Sequence, residues 1–286
     1  MLPEKELQDI LAEYLGYIFI HTSTLKLEKT ILLYGSGANG KSVFYEIVRS
    51  LLGEQNTSEF SLQSLTNENG YYRAMIANKL VNYASEINGK LGASVFKQLV
   101  SGEPVEARLP YGRPFTLTQY AKLIFNCNEL PKDVEYTEAY FRRILIIPFL
   151  VTIPEAEQDK QLAQKIIKSE LSGVFNWVLQ GLERLLEQKH FTDCETVKLA
   201  REQYEKESDS VKLFLEEEEY SPHLTSYEPI KHLYSQYRIF CQEGGFHPVN
   251  KLNFQKRLGM SKVIVMKKNV GKVAFLTNKI EYKNFG

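Results

Sequence analysis

A glycine-rich octapeptide between an apolar run and an amphipathic stretch is the strongest chemical signal in the sequence. It follows the pattern G-x-x-x-x-G-K-[ST], in which backbone N–H groups at a helix N-terminus form a nest for phosphates. Lys41 is expected to reach the β- and γ-phosphates, and the Ser42 hydroxyl is expected to ligate Mg²⁺. A chance Lys-Ser after a glycine-rich turn is disfavoured, because a strand pattern and a helix pattern flank the motif. The predicted nucleotide-binding residues are Gly35, Ser36, Gly37, Ala38, Asn39, Gly40, Lys41, Ser42 and Val43.

Four polar residues further along the chain have types that suit phosphoryl transfer. Glu86 ends an apolar run, where a carboxylate would polarise an attacking water or help to hold Mg²⁺. Asn128 follows the next apolar run and is suited to orienting that water or sensing the γ-phosphate. Arg142 and Arg143 precede a third run, where paired guanidinium groups would neutralise the transferring phosphoryl group across a subunit interface. Plainer alternatives are a solvated carboxylate, an Asx turn and two solvated cations at a strand edge.

The composition is that of an ordinary soluble globular protein that is long for a single core. At 286 residues, with 43% apolar and 24% charged residues, the chain is expected to form two domains, or one domain with a small appendage. Lys+Arg and Asp+Glu balance at 35 each, so any nucleic-acid binding must come from a local patch. The three cysteines fit neither a disulfide framework nor a CxxC zinc site and suit a reducing cytoplasm. No apolar run reaches the ~18–20 residues of a membrane span, and the N-terminus lacks signal-peptide features.

Apolar runs that alternate with helical patterns predict an α/β domain with a largely parallel sheet. Between the second and third strands, residues 105–115 predict an inserted hairpin. Pro148 is expected to break the fourth strand or to place it at the sheet edge. The strands are expected at 30–33 and within 79–86, 120–131 and 142–151, and the helices at about 7–15, at 42–52 and between 155 and 206.

The C-terminal segment has a different pattern, in which helices precede a β-hairpin that turns near Asn269–Gly271. This order matches a winged-helix plan, and its clustered cations fit binding to a duplex backbone. A partner-docking module with solvated lysines is the alternative. In the first hairpin, Arg113 at the turn is favoured over Arg108, because hairpin arginines often brace their own strand. The predicted DNA-binding residues are Lys97, Arg108, Tyr111, Arg113, Lys251, Lys256, Lys267 and Lys268.

Five ordered segments resemble the superfamily 3 helicases, and more narrowly the helicase part of phage-, plasmid- and poxvirus-type primase–helicases. The resemblance covers residues 7–151 well, and the C-terminal segment resembles the winged-helix tail common in that group. The segments are GSGANGKSVF, NKLVNYASEI, VFKQLVSGEPVEARLPYGRPFTL, AKLIFNCNELP and YFRRILIIPF.

The resemblance implies an AAA+-like ATPase that assembles on DNA as a hexameric ring. It places Asn128 at the sensor position and Arg143, with Arg142 beside it, at the arginine-finger position. The hairpin 105–115 matches the hairpin that tracks DNA in the channel. Many members have two adjacent acidic residues where this chain has Ser85-Glu86. Mg²⁺ would then depend on Ser42, the phosphates and water, with Glu86 in a combined role.

We therefore expect an α/β, AAA+-like P-loop ATPase with a parallel central sheet and inserted β-hairpin, followed by a small winged-helix domain. The expected segments are a helical 1–29, an ATPase domain at 30–206 and a winged helix at 207–286. The expected function is an ATP-dependent DNA helicase of mobile-element or viral replication in a bacterial or phage-host cytoplasm, with a primase or replication protein as partner. An origin-binding initiator or loader that assembles on DNA without unwinding is the alternative. The inserted hairpin, tandem arginines and basic tail disfavour a small-molecule kinase.

Overall fold

The computed structural model describes residues 1–85, 87, 92–131, 134–246 and 248–278. Compactness divides the chain into two units, Met1–Glu202 and Gln203–Gly286, which are described separately. The division into 1–29, 30–206 and 207–286 stays a prediction, although the first helix belongs to the core of the first unit. Among the described residues, every helix is too short or too polar to span a lipid bilayer.

The first unit alternates strands and helices, as the sequence predicts. The last helix of the first unit, α9 (Glu195–Ser208), includes the boundary between Glu202 and Gln203. The strands are β1 (Thr30–Tyr34), β2 (Thr57–Ser58), β3 (Val81–Ala84), β4 (Val105–Ala107), β5 (Phe115–Leu117), β6 (Lys122–Cys127) and β7 (Ile144–Pro148). The helices are α1 (Lys5–Tyr17), α2 (Lys41–Leu52), α3 (Leu62–Thr66), α4 (Tyr71–Met75), α5 (Ala93–Ser101), α6 (Glu138–Phe141), α7 (Leu162–Ser169), α8 (Leu171–Gln188) and α9 (Glu195–Ser208).

Five strands form one parallel sheet in the order β2-β3-β6-β1-β7. The predicted α/β class and parallel sheet are confirmed. Leu33 of β1 stands opposite Asn126 of β6 on one side and Ile147 of β7 on the other. The central strands β1 and β6 are largely apolar and almost fully buried, as expected for parallel strands that are covered on both faces. Pro148 ends β7, which is an edge strand, so the predicted edge position of this proline is confirmed.

Helix α1 packs against α8 through two helical glycines. A Cβ atom on Gly181 would lie 2.3 Å from the backbone carbon of Ala12, and one on Gly16 would lie 2.8 Å from Cα of Leu182. The two helices therefore approach each other with backbone in direct contact. Beside this contact, the fully buried Glu13 carboxylate accepts a 2.6 Å hydrogen bond from Nε of Arg184. The charge of Glu13 is thus compensated where the helices meet.

The predicted hairpin is present as the two antiparallel strands β4 and β5, with Val105 opposite Leu117. It forms a small sheet of its own beside the parallel sheet. The buried Arg73 of α4 fixes it, because Nε donates to the carbonyl of Glu106 at 2.7 Å and Nη1 donates to the carbonyl of Leu65 at 3.1 Å. The base of the hairpin is therefore tied to the preceding helices.

The second unit contains helices and an antiparallel sheet, and its predicted helices and hairpin are confirmed. The C-terminal strand β11 (Gly271–Asn278) pairs with β10 (Ile264–Lys268), β8 (Tyr220–Pro222) and β9 (Glu228–Pro229). Its core contains Phe214, Tyr237 and Phe254, with the last two rings stacked at 4.7 Å. The winged-helix assignment stays a prediction. The elements are α10 (Ser210–Glu217), β8 (Tyr220–Pro222), β9 (Glu228–Pro229), α11 (Ile230–Glu243), α12 (Lys251–Met260), β10 (Ile264–Lys268) and β11 (Gly271–Asn278).

The contact between α1 and α8 makes a testable prediction about stability. Replacing a helical glycine by alanine normally stabilises a helix by about 0.5–1 kcal/mol. We expect Gly181→Ala to do the opposite and to lower the free energy of unfolding by about 1–3 kcal/mol, because its methyl group would overlap the backbone of Ala12. Gly173→Ala, in the same helix, is the matched control, because no atom lies within 4 Å of its added methyl group. Equal effects of the two substitutions in urea unfolding would contradict this packing.

Candidate functional site

The glycine-rich loop joins β1 to α2, the context that the phosphate-binding motif requires. Gly37 and Gly40 have φ values of 110° and 95°, and Ala38 lies between them at 49°. Glycine adopts this left-handed region without a steric cost, so the sequence pattern and the backbone shape agree. Gly40 immediately precedes α2, and the loop therefore ends at the N-terminus of a twelve-residue helix. A helix N-terminus that presents free N–H groups is suited to binding phosphates.

Asn39 fixes the loop to the segment that follows β7. Its side chain is 3% exposed, and Nδ2 donates a 3.0 Å hydrogen bond to the carbonyl of Phe149. The N–H of Ile153 donates to the carbonyl of Ala38 at 2.8 Å, which adds a second attachment. A Cβ atom on Gly35 would lie 2.4 Å from the Phe149 oxygen, so only glycine allows this close approach. The loop is thus held in place by contacts within the first unit.

Lys41 is buried, and its ammonium group already has partners. Nζ donates to the carbonyl of Gly35 at 2.6 Å and to Oδ1 of Asn39 at 3.1 Å. Burial lowers the pKa of Lys41, and the nearby Cys127 opposes this effect. Burial raises the pKa of Cys127 to about 12, so the thiol is neutral near pH 7. A phosphate entering the loop would therefore exchange neutral acceptors of Lys41 for charged ones.

A cleft of about 530 Å³ lies beside the loop. Ser42 and Val43 line it on one side, and the strand-end residues Ser85 and Asn128 line it on another. Asn128 is exposed there, consistent with its predicted place near a γ-phosphate. The predicted Glu86 lies outside the described residues. The parallel sheet thus places the loop, Ser85 and Asn128 together at the carboxyl-terminal ends of its strands, where nucleotides bind in such sheets.

Two further residues of this cleft were missed from the sequence. Asn126 is 7% exposed, and its Oδ1 accepts a 3.0 Å hydrogen bond from the hydroxyl of Tyr83, whose pKa burial raises. Its position two residues before Asn128 in a strand pattern was the available signal, because strand residues i and i+2 share a face. Lys160 also lines the cleft, and only the fold brings it there.

The cleft offers the chemistry of a magnesium–phosphate site with few protein ligands. The part of the chain that the structure describes has no group of three His, Cys, Asp or Glu residues that suits a metal. The Ser42 hydroxyl lines the cleft at the start of α2 and is a hard oxygen donor. Mg²⁺ commonly takes one or two protein oxygens, substrate phosphates and water. The residues present fit Mg²⁺ held mainly by the nucleotide.

The two predicted arginines have different environments. Arg143 is buried, and its Nε and Nη2 donate to Oγ of Ser101 at 3.1 and 2.9 Å. Its guanidinium group braces α5 against the start of β7. The side chain of Arg142 is 52% exposed and pairs with Glu28 at 3.0 Å. Of the two, Arg142 is the one that another chain can reach.

The two arginines lie at the amino-terminal ends of the parallel strands, and the glycine-rich loop lies at their carboxyl-terminal ends. We call these two ends of the sheet the arginine edge and the loop edge. Thr30 pairs with Ile144 at the start of β1 and β7, and Tyr34 pairs with Pro148 at their ends. Arg142 precedes β7, whereas the loop follows β1. Five-residue strands separate the two edges by about 16 Å. A nucleotide in the loop is therefore out of reach of Arg142 of the same chain.

The predicted DNA-binding residues of the first unit divide into paired and exposed groups. Lys97 forms an ion pair with Glu135 at 2.8 Å. Cζ of Arg108 lies 5.0 Å from the ring centre of Tyr71, and Nη2 of Arg108 donates to the Tyr71 hydroxyl at 3.2 Å. Tyr111 and Arg113 are exposed in the hairpin turn. The turn therefore presents one aromatic ring and one cation to solvent.

In the second unit, Lys251 and Lys256 are exposed on α12, and Lys267 is exposed on β10. Lys268 is partly buried, with Nζ 3.9 Å from the ring centre of Tyr227. The charge of Lys268 is thus engaged with an aromatic face. Three of the four predicted lysines are available for a phosphate backbone.

Comparisons with known proteins match different parts of the chain. Residues 33–143 match a family of unknown function, DUF5906, and residues 206–285 match the family described as poxvirus D5 protein-like. A curated relative, described as a "putative helicase" of Acanthamoeba polyphaga mimivirus, is 24% identical over 177 residues. This match covers 57% of the chain and 18% of that relative, so the chain spans less than a fifth of its length.

A solved structure, the A form apo structure of the NrS-1 C-terminal region, matches with a TM-score of 0.52 at 13% identity. The match covers 97% of this chain and 76% of that chain, and it shows a shared fold. Together, the comparisons support a relationship to viral helicase-like proteins.

The Asn39 side chain makes a prediction about the stability of the loop without nucleotide. Asn39→Ala removes the donor to the buried carbonyl of Phe149, and we expect it to lower the free energy of unfolding by about 1–3 kcal/mol. Ser36→Ala is the control in the same loop, because Ser36 is exposed and its effect should stay within about 0.5 kcal/mol. Thermal unfolding that does not separate the two variants would show that Asn39 does not anchor the loop.

Proposed function

We propose that this chain is an ATP-dependent DNA helicase of viral or mobile-element replication. The proposal rests chiefly on the separation of the phosphate-binding loop and Arg142 to opposite edges of one parallel sheet. Each chain has both halves of an ATP site, but it cannot bring them together by itself. A ring of identical chains, of which a hexamer is the proposed form, joins the loop of one subunit to Arg142 of the next.

The loop side of the composite site binds the triphosphate. The backbone N–H groups before α2 surround the phosphates, and Lys41 moves from its contacts with Gly35 and Asn39 to the β- and γ-phosphates. Bound Mg²⁺ would neutralise phosphate charge, with Ser42 as a protein ligand. Asn128 is proposed to orient the attacking water, and Glu86 is the proposed carboxylate beside it.

The arginine side of the site stabilises the charge that develops on the transferring phosphoryl group. Arg142 is the proposed trans-acting residue, because it is exposed while Arg143 is buried against Ser101. The family resemblance placed Arg143 at the arginine-finger position, with Arg142 beside it. The proposed role of Arg143 is to hold the chain before β7 in place. Hydrolysis would then change the contact between neighbouring subunits.

The first hairpin is proposed to contact single-stranded DNA through its turn. Arg113 suits a phosphate and the fully exposed Tyr111 suits stacking on a base. The buried Arg73 ties the base of the hairpin to the preceding helices, so the hairpin would move with those helices. Movement of this turn during ATP hydrolysis would then pull the bound DNA strand.

The second unit is proposed to be a winged helix that holds duplex DNA. Lys251 and Lys256 on α12 and Lys267 on β10 provide exposed cations. The match of residues 206–285 to the poxvirus D5 protein-like family supports a role in viral DNA replication. A separate primase or replication protein is the proposed partner of the ring.

A loader that assembles on DNA without unwinding it is the second candidate. The pairing of Lys97 with Glu135 and of Arg108 with Tyr71 favours it, because two of the cations expected to contact a moving DNA strand are already engaged within the first unit. Strand displacement on a forked substrate separates the two functions, since a loader would hydrolyse ATP and bind DNA but leave the fork intact.

Lys41→Ala tests the use of ATP. We expect the variant to lose ATP hydrolysis and fork unwinding together, because the β- and γ-phosphates lose their cation. Lys168→Ala, an exposed lysine at the end of α7, should keep both activities. Unwinding by Lys41→Ala at the rate of the parent protein would contradict the proposed function.

Arg113→Ala tests the hairpin turn. We expect weaker binding to single-stranded DNA and a smaller stimulation of hydrolysis by DNA. In a plot of log affinity against log salt, the slope should be smaller by about one, as for the loss of one phosphate contact. Arg113→Lys should keep most of the salt dependence. An unchanged slope in Arg113→Ala would place the DNA elsewhere.

A further inference from the structure

An ionic cluster lies at the amino-terminal ends of the parallel strands, the end of the sheet that is distant from the glycine-rich loop. Glu28 is its centre, and its carboxylate lies 3.1 Å from Nζ of Lys26, 3.0 Å from Nη2 of Arg142 and 3.4 Å from Nη2 of Arg143. The ammonium group of Lys29 donates a hydrogen bond to the carbonyl of Arg142. The Glu28 carboxylate therefore pairs with three cationic side chains, and a fourth cation, Lys29, binds the backbone of Arg142.

The backbone of Glu28 adopts an unusual conformation for its residue type. Its φ value is 54°, in the left-handed region that a non-glycine residue occupies only at a cost. Its side chain is held by the ion pairs with Arg142 and Arg143. The side chain is 21% exposed, so solvent screens these pairs less than pairs on an open surface. Partial burial acts to raise the pKa of Glu28, but hydrogen bonding from Lys26 and the charges of the arginines hold it below its usual value.

The two arginines depend on Glu28 to different extents. Arg143 has other acceptors in Ser101 and in the carbonyl of Ala139. For the guanidinium group of Arg142, Glu28 is the partner that the described residues provide. The backbone of Arg142 is fixed on both sides. Its N–H donates to the carbonyl of Glu138, and its carbonyl accepts from the ammonium group of Lys29. Among the residues that the structure describes, the orientation of the Arg142 side chain thus depends on its ion pair with Glu28.

We propose that Glu28 is a positioning residue for ATP hydrolysis, which orients the guanidinium group of Arg142 toward the nucleotide bound by a neighbouring chain. This inference rests on the proposed function and adds a residue that neither the motifs nor the comparisons assign. Without the carboxylate, the cations of Lys26, Arg142 and Arg143 would repel one another. Arg142 would then have to be ordered in each catalytic cycle, at the expense of transition-state stabilisation.

Glu28→Gln tests the proposal because glutamine keeps the size of the side chain and removes its charge. We expect kcat for ATP hydrolysis to fall by about ten- to a hundred-fold while KM for ATP stays unchanged, because the loop side of the site is intact. Glu103→Gln is the matched control, since its carboxylate is 3.8 Å from the same Lys26 and it lies outside the proposed site. The control should hydrolyse ATP at the parent rate.

Mixing of variants separates a positioning role from a general loss of structure. Lys41→Ala has a defective loop and an intact arginine edge, whereas Glu28→Gln has the reverse. In a mixed ring, roughly a quarter of the interfaces join the intact loop to the intact arginine edge, so the mixture should regain hydrolysis although each variant alone is slow. Arg142→Ala mixed with Lys41→Ala should behave in the same way.

The outcomes distinguish the two proposals. Hydrolysis by Glu28→Gln at the parent rate would overturn the role of Glu28. Rescue of Arg142→Ala without rescue of Glu28→Gln would overturn it as well, and would leave the shared ATP site standing. Failure to rescue Arg142→Ala, or parent-rate hydrolysis by that variant alone, would overturn the trans-acting arginine and the inference on Glu28 together.

Discussion

The parallel direction of the five strands is the constraint on which the rest of the structure depends. Because the strands run in the same direction, residues that follow a strand lie at the carboxyl-terminal end of the sheet. Residues that precede a strand lie at its amino-terminal end. The loop and Asn128 therefore share a cleft, while Arg142 and Glu28 lie at the opposite edge. The proposed ATP site needs both the glycine-rich loop and Arg142, and one chain holds these at opposite ends of its strands. The proposed ring of chains is based on that geometry.

The glycine-rich loop is held in place by contacts of its own side chains. Asn39 ties it to the carbonyl of Phe149, and Lys41 is held among neutral acceptors within the loop. Preorganisation of this kind lowers the entropy that binding must offset. The arginine edge follows the same principle, because Arg143 and Glu28 fix the surroundings of Arg142. In the proposed ring, these two halves of the site would meet at the interface between neighbouring chains.

Much of the first unit was predictable from the sequence because its signals are local. The motif at 35–42 and the apolar runs predicted the loop, four strands and their parallel arrangement. Strand β2 was missed, since two residues have no detectable periodicity. The burial of Arg143 depends on Ser101, 42 residues away, so no local pattern distinguishes it from Arg142. The pairing of Lys97 with Glu135 and the place of Lys160 in the cleft likewise depend on the fold.

The central claim is that ATP hydrolysis requires two chains and serves the movement of DNA. The most direct measurement records the ATPase rate per chain and the molecular mass together, over a range of protein concentrations, with and without single-stranded DNA. The account predicts that the rate per chain rises as rings form and rises further with DNA. A monomer that hydrolyses ATP at the same rate per chain at every concentration would contradict it.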